Sequence, residues 1–74
     1  MYKVETVSFE GSTLRVLTDK INEYLTELKN MCDSEDLLFQ VTFQYYEPIR
    51  LDSNKLRYSW PAVIVTEITD EEEI

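Results

Sequence analysis

Histidine is missing altogether, cysteine and glycine occur once each, and proline occurs twice. Without histidine there is no side chain that titrates near neutral pH unaided, and the usual general base of serine, cysteine and metal-assisted mechanisms is gone. Cys32 is the sole cysteine, so no disulfide forms within the chain, and a zinc site would have only carboxylates for its remaining ligands. An unpaired thiol fits a reducing compartment, and the expected location is the cytoplasm. With Gly11 as the single glycine, a glycine-rich phosphate loop is excluded. No apolar run approaches the roughly 18 residues of a membrane span, and the opening Met1-Tyr2-Lys3-Val4-Glu5 is charged and alternating, unlike a secretory leader.

What is present has to be stabilised at small size. A chain of 74 residues makes one domain whose core is marginal without a staple. Disulfide and zinc being excluded, association into a homo-oligomer is the expected supplement. The net charge of -8 is unevenly spread: five of the acids fall in Glu67 to Ile74, leaving ten acids against seven bases in the body. The body is nearly balanced, so a soluble domain with a solvated acidic end is expected in preference to a wholly acidic mimic of nucleic acid. Direct nucleic-acid binding is disfavoured, because Lys3, Arg15, Lys20, Lys29, Arg50, Lys55 and Arg57 form no run along which a phosphate backbone would lie.

Residues 2–9 are rich in β-branched and aromatic types and stop at Glu10-Gly11-Ser12, which predicts a strand and a reversal, with Ser12 or Thr13 as the cap of a helix. The helix is marked by Leu14, Leu17, Ile21, Tyr24, Leu25, Leu28 and Met31 at spacings of three and four, one apolar stripe with a polar reverse side. Asp33-Ser34-Glu35-Asp36 ends it. These carboxylates lack the glycine and the distant glutamate of a calcium loop, so no metal is expected there. Cys32, beside Asp33 at the helix end, is a poor nucleophile because dipole and carboxylate both disfavour a thiolate.

From Leu37 to Glu47 the pattern alternates, with Phe39, Val41, Phe43 and Tyr45 on one side and Leu38, Gln40, Thr42, Gln44 and Tyr46 on the other. Residues 48–55 are expected to be a polar connection, and 56–69 a last strand in antiparallel pairing with the one before it. Pro61 cannot donate to a ladder, so it is expected at a bulge or against an unpaired side, where the alternation is able to change phase. The expected fold is therefore α+β, in the order β-α-β-β: a three-stranded, mainly antiparallel sheet with one helix on one face. Residues 1–69 form the domain and 70–74 an acidic tail.

The segments Ile21-Asn22-Glu23-Tyr24-Leu25, Phe39-Gln40-Val41-Thr42-Phe43 and Tyr58-Ser59-Trp60-Pro61-Ala62-Val63-Ile64-Val65 resemble the small Cse-type sporulation proteins of Bacillus and its phages. The resemblance implies a strand-helix-strand-strand fold and a Gram-positive bacterial or phage source. It implies no activity for any residue.

A single helix covers one face of such a sheet, and the second face retains aromatic surface of the kind that anchors protein interfaces. The expected function is accordingly a non-enzymatic interaction protein without cofactor, with a phage as one expected source, that binds and modulates or inhibits a host protein. Tyr46, Arg50, Arg57, Tyr58 and Trp60 are the candidate partner-binding residues. An alternative is an oligomeric sponge for a small signalling nucleotide, with a base stacked on tyrosine or tryptophan and phosphates met by Arg50, Lys55 or Arg57. A sporulation-associated role and nucleic-acid mimicry by the acidic tail are further alternatives.

Overall fold

The computed structural model describes residues 2–52 and 57–70. Its elements are β1 (Tyr2–Gly11), α1 (Leu14–Ser34), β2 (Leu37–Tyr45), β3 (Ile49–Asp52) and β4 (Arg57–Asp70). The last strand is the central one: the order is β1-β4-β2, with β3 also on β4, and every pairing is antiparallel. Ala62-Val63-Ile64-Val65 suits this place, since β-branched side chains pack well against neighbours on a strand paired on both sides.

The chain is α+β, as its periodicities imply, with one strand more than the alternation suggests. Residues 49–52 do not form a mere loop but pair with residues 57–59, in line with β2 and separated from it by Tyr46-Glu47-Pro48. Two long extended segments crossing the same partner strand therefore read as one interrupted ribbon. Pro61 explains the interruption. The Tyr46 amide donates to the Pro61 carbonyl at 3.2 Å, so the amide that Pro61 lacks would also point to this side, at the break between β2 and β3. The other side is unbroken, with Glu10 opposite Pro61 and Gly11 opposite Trp60. No phase change occurs, and Trp60, Ala62, Ile64, Thr66 and Ile68 all face α1.

Thr13 caps α1 by accepting from the Val16 amide at 3.1 Å. At the other end the Glu35 amide bonds the Met31 carbonyl, and Asp36, at φ 54°, turns the chain into β2. Aspartate is among the few residue types that tolerate this left-handed region. Gly11 is needed for a different reason from the reversal its sequence context suggests. Its φ is not positive, but a Cβ there would lie 2.5 Å from the Leu17 nitrogen, so the strand end and the first helical turn touch backbone to backbone.

Leu17, Ile21, Leu28 and Cys32 of α1 are buried on β4 in two clusters. The first joins Leu17 and Ile21 to Ala62 and Ile64, and the second joins Leu28 and Cys32 to Ile68. Between them lies Thr66, fully buried, whose hydroxyl shares a 2.9 Å hydrogen bond with the Tyr24 hydroxyl. Tyr24 touches both clusters and packs on Phe9 at a ring-centroid distance of 5.3 Å.

Tyr24→Phe leaves the Thr66 hydroxyl buried without its partner and is expected to lower unfolding free energy by about 1–3 kcal/mol, whereas adding Thr66→Val recovers part of that loss. Urea unfolding of the two single variants and the double variant checks the non-additivity. Gly11→Ala is expected to cost about 1–3 kcal/mol or more by overpacking against Leu17, read from the same midpoints.

Candidate functional site

The five residues singled out by composition and position do not share one surface. Trp60 faces α1 and packs, half-buried, against the Leu17–Ile21 cluster. It therefore belongs to the core, not to the uncovered face, because the unbroken alternation of β4 places it in phase with Ala62 and Ile64. Tyr58 is half-buried in a cleft of about 340 Å³ bounded by Glu10, Gly11, Val16, Lys20, Leu51 and Ser59. Arg50 lies opposite Tyr58, and Arg57 opposite Asp52, so both arginines sit on the β3–β4 arm. Tyr46 is exposed beside Pro61 and Val63, where a shallow hollow also meets Ser8 and Glu10. Lys55 falls outside the described residues.

The cleft near Tyr58 is organised by Glu10. Its carboxylate accepts from the buried Ser59 hydroxyl at 3.2 Å, and its carbonyl accepts from the Lys20 ammonium at 2.7 Å. Lys20, the cation lining this cleft, is thus engaged by the backbone of the same residue whose carboxylate holds Ser59.

The face away from α1 is the larger uncovered feature. Register and alternation place on it Tyr2, Val4, Thr6, Ser8 and Glu10 of β1, Pro61, Val63, Val65, Glu67 and Thr69 of β4, and Leu38, Gln40, Thr42 and Gln44 of β2. Val63 and Val65 are half-buried at its centre, while Tyr2, Val4 and Leu38 are exposed around them. Its ionisable side chains are Glu10 and Glu67, both acidic, together with the Tyr2 phenol, whose pKa is raised by desolvation and by the charge and hydrogen bond of Glu67.

A second apolar surface was not evident in the sequence pattern. Phe43 and Tyr45 lie on the α1 side of β2, yet they are 40% and 60% exposed and stack with centroids 6.3 Å apart and planes 10° from parallel. A helix about 10 Å wide covers about two strands spaced at 4.8 Å, so a third strand on that face is left partly open. That width argument was the available signal; alternation alone marks both residues as core.

Cys32 is buried, and its pKa is raised, first by desolvation and then by the charges of Asp33 and Glu35. Among the described residues, no group of three or more cysteine, aspartate or glutamate side chains converges to hold a metal ion. No helix is long and apolar enough to cross a membrane, among the residues described. In comparisons with family models, curated proteins and solved structures, nothing matches this chain.

Because the folded thiol keeps its proton to higher pH than the unfolded one, its contribution to stability is full below the ordinary thiol pKa and is lost as pH rises through the raised value. Alkylation of the native protein at pH 8 is expected to be at least about tenfold slower than that of the urea-unfolded chain. Thiol labelling followed by mass spectrometry checks this, and equal rates would show that Cys32 is reachable.

Proposed function

We propose that the chain is a non-catalytic protein-binding domain that uses the uncovered sheet face to hold an apolar patch of a partner protein rimmed by lysine or arginine. The observation that supports this reading is the make-up of that face: half-buried Val63 and Val65 at the centre, Tyr2, Val4, Leu38 and Tyr46 around them, and Glu10 and Glu67 as its carboxylates among the described residues. A desolvated apolar centre with aromatic neighbours and a charged rim is the usual anatomy of a protein interface. The acidic side chains of the face, Glu10 at one end and Glu67 on the central strand between Val4 and Gln40, select against nucleic acid and for a basic partner surface. Modulation or inhibition of a host protein, and a phage or Gram-positive bacterial source, belong to the same proposal.

The nucleotide reading has less to support it. Tyr58 offers a ring at the cleft, but Glu10 faces the place a phosphate would take, and Lys20 is already engaged. Arg50 and Arg57 lie along the arm, whereas Trp60 is turned into the core.

Val65→Lys places a charge at the centre of the open face without touching the α1 side. It is expected to weaken partner binding at least about a hundredfold while the melting temperature shifts by only a few degrees. A photocrosslinking residue at Thr42, compared with one at Asp19 on the solvent side of α1, identifies the partner. Trapping at both positions alike, or trapping that survives Val65→Lys, would count against the open face. A nucleotide that raised the melting temperature in proportion to the logarithm of its concentration would favour the sponge instead.

A further inference from the structure

Among the described residues, both outer strands of the sheet have an unpaired edge, and the two edges differ. β1 carries Lys3, Glu5 and Glu10 along its length, with a 2.7 Å ion pair between Lys3 and Glu5. β2 carries no charge from Leu37 to Tyr46, and it contains no proline and no glycine. Charge, proline and bulges are the devices that keep a strand edge from pairing with another chain. In a chain of net charge -8, one edge lacks all three.

We propose that β2 is the seam of a homodimer, in which the β2 strands of two copies pair antiparallel about Val41 to make one continuous six-stranded sheet. Backbone geometry supports this register. The Tyr46 amide points to β4, and hydrogen-bonding direction alternates along a strand. Gln44, Thr42, Gln40 and Leu38 therefore also bond inward, while Leu37, Phe39, Val41, Phe43 and Tyr45 direct their amides and carbonyls to the free edge. Val41 is the midpoint of Leu37–Tyr45. Pairing it with itself uses every outward group of the strand, and a two-fold axis at that point is an isologous contact.

The side chains agree with the backbone. About this axis Phe43 lies opposite the partner subunit's Phe39, and Tyr45 opposite the partner's Leu37, all on the α1 side. The exposed Phe43–Tyr45 stack, which α1 is too narrow to cover, is then enclosed between two helices. On the other side Gln40 lies opposite the partner's Thr42, a neutral polar pair. Beyond the seam, the arm with Arg50 and Arg57 runs past the turn that ends the partner's helix. The described residues of that arm balance, Arg50 and Arg57 against Glu47 and Asp52, so no net repulsion opposes the acids Asp33, Glu35 and Asp36 of the turn.

The inference is independent of the open-face reading, since it uses the edge of β2 and the opposite side of the sheet. Light scattering and sedimentation of the full chain are expected to give a dimer; a monomer at all accessible concentrations overturns the proposal. Phe43→Lys buries a charge in the seam and is expected to raise the dimer dissociation constant at least about tenfold with an unchanged circular dichroism spectrum. A dimer indifferent to Phe43→Lys would place the contact elsewhere and overturn it. Should that variant unfold, mild oxidation of an equimolar mixture of Gln40→Cys and Thr42→Cys decides. A mixed disulfide forming faster than either variant self-links supports the Val41 register, and its absence in a dimeric sample overturns it.

Discussion

The contact line between α1 and β4 is the constraint on which the rest of the molecule depends. Among the described residues, every buried apolar side chain belongs to one of these two elements: Leu17, Ile21, Leu28 and Cys32 on the helix, Ala62, Ile64 and Ile68 on the strand. The outer strands contribute half-buried flanks, Phe9 on one side and Leu37, Phe39 and Val41 on the other. A core one helix wide is close to the minimum that holds a chain of this length. It leaves little tolerance for a gap, and the one buried polar group in its line, Thr66, is matched by Tyr24.

Much of this was legible in the residues. Spacings of three and four place the helix, although Leu14 and Met31 of that stripe are exposed and Cys32 is buried in their stead. Strict alternation fixes the two sides of β2, and of the two capping candidates Ser12 and Thr13 it is Thr13 that caps. What escaped depends on distance in space. Residues 49–52 pair with β4 despite their polar surroundings, because β4 is long enough to extend past β1 and to present a free ladder there. Gly11 looked like a turn residue and is a packing residue, a distinction that only the approach of the Leu17 backbone reveals.

The candidate site was less legible than the fold. Trp60 is the most conspicuous aromatic in the sequence, but its parity with Ala62 and Ile64 assigns it to the inner face. Phe43 and Tyr45 share the parity of Val41 and are nonetheless exposed, since parity says which side a residue takes and not whether anything lies there. The coverage of a face is set by element widths. The first misjudgement is corrected by parity along β4, and the second by counting how many strands one helix spans.

Pro61 divides the molecule in a further sense. From Trp60 onward β4 is supported by β1, by β2 and by the helix, but residues 57–59 have only β3 as a ladder partner. The missing amide and the break at Tyr46-Glu47-Pro48 fall at the junction. A two-stranded ribbon is marginal alone, so the arm draws support from the body, through Tyr58 in the cleft and the Ser59 hydroxyl on the Glu10 carboxylate. The proline thus works as a joint in the ladder: on the β2 side it takes one hydrogen bond, from Tyr46, and has no amide to give, while the β1 side runs on through Trp60 without a break.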